Sequence, residues 1–231
     1  MKFQTLLIAG SLAMSAPVFS DQAPAIPTGS LDVSELMVRQ GVAPTFSWNI
    51  EYPAQVTDVV DINEDDEIIP KTKLRVRVSM IGVGLTDQYG TQYPAKVYMK
   101  LGNKSWDNIF SGTSSQVKPD VDLIDTVVKA GTTFEFAAKL NWTGYDYYYN
   151  DSSNITVLKN GDTPPSVAAG YSDQTSVAEY LRPYIQDGKI ALGPMDVIYV
   201  SELTHSQYQK NESGYDMQDV ITLVRFEKVA E

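Results

Sequence analysis

The chain of 231 residues contains no cysteine, a single histidine and no apolar run long enough to span a bilayer as a helix. Without cysteine there are no disulfides, no thiol catalysis and no thiolate metal ligands. With His205 as the sole imidazole, the common zinc sites are excluded as well. A membrane-spanning helix needs about 20 consecutive apolar residues. The most apolar segment, Leu6 to Ala16, is shorter than that and is broken by Gly10 and Ser11. Positive charge is also scarce: 18 Lys and Arg stand against 29 Asp and Glu, a net charge of −11. Such a surface repels nucleic-acid phosphates and anionic lipid, so neither is expected as a partner. Repeats and low-complexity tracts are missing, and no catalytic motif is specific enough to name a reaction.

What is present begins with an address. Lys2, the apolar run and the short side chains of Val18 and Ser20 have the layout of a secretory signal peptide cleaved after Ser20, so residues 1–20 are read as leader and the protein as exported, to the periplasm, the cell surface or beyond. Residues 21–30 hold two prolines and a glycine and read as an extended segment. Residues 31–231 are expected to form one domain, large enough to bury a core without disulfides.

The dominant pattern after residue 31 has a period of two. In Leu74 to Met80, Leu74, Val76, Val78 and Met80 alternate with Arg75, Arg77 and Ser79, as a strand with one buried and one wet face requires. Similar runs cover 46–52, 56–62, 95–101, 132–142, 155–158, 197–203 and 220–226, separated by turn-formers such as Asp87 to Gly90 and Asn160-Gly161. One segment is different. Residues 176–186 space Val177, Tyr180, Leu181, Tyr184 and Ile185 by three and four, with Ser176 and Glu179 forming a capping box and Pro183 ending the helix near Arg182. The predicted fold is therefore mainly β, an antiparallel β-sandwich or jelly-roll-like domain with one short helix near 176–186. An outer-membrane barrel is the structural rival, disfavoured by charges on both faces of several runs and by prolines near strand ends.

Two acidic groups are candidate cation sites, with Ca2+ the only cofactor to consider. Asp61, Asn63, Asp65 and Glu67 alternate like the first half of a calcium loop, but Asp66 replaces the glycine that an EF-hand needs at the sixth position and Thr72 its closing carboxylate. Further on, Glu202 ends one strong strand while Asp216 and Asp219 precede another. A hairpin would bring the three together to share a proton, to bind a cation, or to act as paired hydrolase carboxylates. His205 and Ser206 are adjacent, so a strand would point them to opposite faces, and His205 reads as a loop residue.

The remaining signal is aromatic. Trp142, Tyr145, Tyr147, Tyr148 and Tyr149 fall within eight residues, beside Asn and Asp side chains. Exposed rings next to amides and carboxylates can stack on sugar rings or anchor a protein partner. Three functions follow. The first is a noncatalytic surface, filament or matrix protein of adhesion type, with protein subunits as partners and oligomer or polymer formation open to it. The second is a carbohydrate-binding module with a structural Ca2+, and the third is a secreted hydrolase using paired carboxylates.

Overall fold

A computed structural model describes residues 28–33, 46–51, 54–144, 146–167 and 175–229. The leader, most of the proline-rich segment and Tyr145 lie outside the described residues. In chain order the strands are β1 (Thr28–Val33), β2 (Phe46–Glu51), β3 (Val60–Ile62), β4 (Ile68–Pro70), β5 (Leu74–Gly82), β6 (Ala95–Leu101), β7 (Asp107–Gly112), β8 (Ile124–Val128), β9 (Phe134–Leu140), β10 (Tyr148–Tyr149), β11 (Ile155–Lys159), β12 (Ile185–Gln186), β13 (Lys189–Ile190), β14 (Asp196–Ser201) and β15 (Val220–Lys228). Two short helices, α1 (Val56–Val59) and α2 (Val177–Leu181), accompany them.

All the strand pairs are antiparallel, and they build two principal sheets. One runs β3-β4-β9-β6-β7, with β10 also paired to β9; the other runs β11-β14-β15-β5-β8. Both have open edges, so the described strands form no closed barrel. Their facing sides interdigitate around one core, in which Phe136 stacks on Tyr199 with centroids 4.7 Å apart and Phe134 meets Phe226 edge-on at 5.9 Å. The expected mainly β, sandwich-like architecture is what the chain adopts.

The second sheet is covered on both sides. Ile198, Val200, Ile221 and Leu223 point away from the partner sheet into a second apolar cluster with Val177 and Leu181 of α2, Ile190 and Tyr215. That is why β14 and β15 read as nearly unbroken apolar runs, whereas β5 starts in strict alternation. Ser176 caps α2 as its sequence requires: its Oγ accepts from Glu179 N at 3.2 Å, and its own N–H donates to Glu179 Oε2 at 2.9 Å. Pro183 falls in the 3-10 turn Arg182–Tyr184 that follows.

Two expectations need correction. Residues 56–62 are not one strand: Val56–Val59 form a helical turn, with Gln55 and Asp58 making a capping box, and only Val60–Ile62 is extended. Val56 and Val59 are still buried, because a spacing of three also puts them on one face. Regular structure also begins before Leu31, since β1 includes Thr28 to Ser30 and pairs with β2 of its own chain.

Candidate functional site

The ladder of β14 and β15 ends at its loop side with Ser201 opposite Val220, and the acidic residues follow Ser201 and precede Val220. Asp219 N donates to Ser201 O at 3.0 Å, and Met217 takes a left-handed φ of 54°, which turns the incoming chain back toward β14. Glu202, Asp216 and Asp219 are all buried, and one carboxylate oxygen from each lies within 4.8 Å of the other two. No other group of three or more Asp, Glu or His side chains converges in this way among the described residues.

Four donors surround Glu202. Oε1 accepts from Thr204 N (2.9 Å), Thr204 Oγ1 (2.8 Å) and His205 N (2.9 Å), and Oε2 accepts from Asp216 N (3.0 Å). Burial by itself would raise the pKa of Glu202. The cationic form of His205 and the N–H donors outweigh it and hold the carboxyl below its ordinary value, so it is ionised. Because Thr204 Oγ1 gives its proton to Glu202, its 2.7 Å contact with His205 Nδ1 requires the imidazole to donate. His205 Nδ1 is itself 3.6 Å from Glu202 Oε1, too long for a direct bond; it acts on the carboxylate through charge and through Thr204. The His205 imidazolium is stabilised in turn, chiefly by Glu202.

The neighbouring acids behave in the opposite sense. Burial first, and then the Glu202 charge, push Asp216 up to about 7. The same causes hold Asp219 protonated far above the usual carboxylate range, although its Oδ2 accepts from Leu203 N at 2.6 Å. Three carboxyls this close cannot all be charged without a counter-charge, which a proton or a cation can supply. The loop is clamped from outside by Asn154, whose buried amide donates to Glu202 O and to His205 O. Between the two aspartates, Gln218 is fully buried, with neither side-chain oxygen nor nitrogen bonded to a protein group.

The other acidic candidates separate. Asp61 pairs with Lys71 at 2.9 Å. Asn63 organises the β3–β4 turn, its Oδ1 accepting from Asp65 N at 3.0 Å and Glu67 N at 2.9 Å while its amide donates to Glu67 Oε2 at 2.8 Å. Asp61, Asn63, Asp65 and Glu67 thus shape a tight turn and do not point at a common centre.

The aromatic segment divides by strand alternation. On β10, Tyr148 turns in against the core while Tyr149 is exposed, as is the preceding Tyr147. Rings from β6 and from the turn between β6 and β7 complete a strip on the open face of the first sheet. Trp106 lies 5.6 Å from Tyr149, Tyr149 lies 6.2 Å from Tyr147, and Tyr147 meets Tyr98 of β6 edge-on at 5.4 Å, the Tyr147 hydroxyl donating to that of Tyr98. Ala137 of β9, opposite both Tyr98 and Tyr149, is the small residue that these rings cover. Lys139 lies 4.7 Å from the Tyr147 ring centre, and Lys100, paired with Glu135 at 2.7 Å, reaches toward Trp106. Trp142 stands at the end of this face. It shares a shallow depression with Lys139, and on its other side it borders a cleft of about 400 Å³ walled by Tyr93, Leu85 and Leu140, with Asp87 and His205 as polar groups. Tyr93 is edge-on to Trp142 at 5.7 Å.

Sequence reasoning named Trp142, Tyr147 and Tyr149 but missed Tyr98, Trp106 and the lysines. The alternation Lys96, Tyr98, Lys100 on the wet face of β6 was the available signal. No protein-family model, curated protein or solved structure matches this chain.

Proposed function

We propose that the chain is an exported, noncatalytic surface or matrix protein of adhesion type, whose domain binds glycan through the aromatic strip on its open sheet face. The observation that supports this reading is the series Trp106, Tyr149, Tyr147 and Tyr98, held on the open sheet face by β6, β10 and the segments next to β7 and β10 instead of being folded into either core. Aromatic faces stack on pyranose rings with little conformational-entropy loss, and Asn108, beside Tyr98, and Lys139 offer groups for hydroxyls. The paired-carboxylate hydrolase reading has less support, because Glu202 and Asp219 are both sealed from solvent. A panel of polysaccharides titrated while tryptophan emission is followed tests the proposal. Binding abolished by Tyr147→Ala but kept by Tyr148→Phe is the expected result, and silence across the panel refutes it.

The carboxyl cluster supports a second component of the same reading, a structural Ca2+ held by Glu202, Asp216 and Asp219. Hard oxygen ligands from both strands of the hairpin suit that ion, and its charge would replace the protons that Asp216 and Asp219 otherwise keep. Thermal unfolding in EDTA and in millimolar Ca2+ tests it. A bound ion adds about 3 kcal/mol at a hundredfold excess over Kd, and the gain should be larger at pH 8 than at pH 5. An unchanged midpoint at both pH values discards the ion.

A further inference from the structure

We infer that the polymer taken by the aromatic strip is an anionic polysaccharide, one carrying uronate carboxylates or sulfate esters; this rests on the glycan reading and specifies its substrate class. The argument is one of charge placed against the trend of the molecule. The chain carries a net charge of −11, yet the strip is lined by lysines. Lys96 and Lys139 are direct cross-strand partners on β6 and β9, side by side on the same face as Tyr98 and Tyr147. Like charges facing each other across a ladder are unfavourable, and neither lysine has a carboxylate partner among the described residues. Lys100, in the next outward position on β6, is neutralised by Glu135, so the sheet does supply counter-charges where the structure alone needs them. The unneutralised pair sits where a bound chain would pass, with the Lys139 ammonium over the Tyr147 ring and the residue also lining the Trp142 depression.

Ring geometry narrows the ligand further. Neighbouring rings tilt by 35° between Tyr147 and Tyr149 and by 60° between Trp106 and Tyr149. Rings set at such angles do not make one flat platform, so they suit a single hydrated chain better than the face of a crystalline polymer. Charge on the ligand suits this unpaired pair of lysines, because at physiological salt the screening length is about 8 Å and both ammonium groups act on a chain lying along the strip.

The test compares polygalacturonate with its methyl ester, which has the same backbone without charge, using the full chain and isothermal titration. Polygalacturonate is expected to bind at least tenfold more tightly. The double variant Lys96→Gln/Lys139→Gln should erase that preference while keeping the wild-type circular dichroism spectrum. Equal affinity for the two polymers overturns the inference and leaves the glycan reading standing, as does a preference that survives the double substitution. Binding to neither these nor any other polysaccharide refutes the glycan reading itself.

Discussion

Replacing Asp216 with asparagine should make the protein more stable at pH 8 and leave it nearly unchanged at pH 4. In the native state burial and the charge of Glu202 push Asp216 up to about 7, against an ordinary value of 3.8. A group whose native value is raised contributes stability that is complete below the unfolded value and disappears as pH rises through the native one. Here the loss falls between about pH 4 and pH 7. Each unit is worth about 1.4 kcal/mol, so the full window corresponds to about 4 kcal/mol. Asparagine keeps the shape and the oxygen facing Gln218 N but has no proton to lose. Asp219 remains in both proteins, and so does His205, whose raised value contributes stability that is lost as pH rises above 6.5; both largely cancel in the comparison. Glu202 has the opposite sign: its depressed value contributes stability lost only as pH falls below its ordinary 4.5, at the acid edge of the window. Urea unfolding at half-unit intervals from pH 4 to 8, in EDTA, gives both curves. If wild type and Asp216→Asn stay parallel across the range, Asp216 is not held protonated by its neighbours and the account of the cluster is wrong.

Three further substitutions probe the framework. Phe136→Ala removes the ring stacked on Tyr199 at the centre of the sandwich and should cost about 3–5 kcal/mol by chemical denaturation. Asn154→Ala leaves two buried carbonyls, of Glu202 and His205, without their donor; a loss of roughly 2–3 kcal/mol is expected, with faster amide exchange at Thr204 and His205. Gln218→Met replaces an unbonded buried amide with an apolar chain of similar shape and should raise the unfolding free energy by about 1–3 kcal/mol, whereas a lowered one would mean that the amide is satisfied in solution.

The sandwich was legible because its strongest signal, alternation in β5, β6 and β9, is produced directly by one dry and one wet face. The capping box of α2 was legible for an equally local reason. Residues 56–59 misled because valines spaced by three satisfy a strand run and a helical turn alike. The short edge strands β7 and β8 were not singled out: they are brief, and both expose residues to water, Val127 of β8 included. At the candidate site, the approach of Glu202 to Asp216 and Asp219 followed from pairing two obvious strands. That Asp61, Asn63, Asp65 and Glu67 would cap a turn instead could not be read from spacing, since Asn63 serves a calcium loop and a tight turn with the same side-chain oxygen. The strip stayed hidden because Tyr98 and Trp106 are remote in sequence from Tyr147 and Tyr149 and meet them only through strand pairing.

The place of β15 has a consequence for how the molecule comes into being. It lies between β14 and β5, and Arg77 of β5 holds Glu227 across a separation of 150 residues. Until Val220–Lys228 has emerged, the middle of that sheet is a gap with two unsatisfied backbone edges, and neither apolar layer can close. Assembly must then wait for nearly the whole described chain. A break anywhere upstream of Val220 would leave sticky margins in place of a domain.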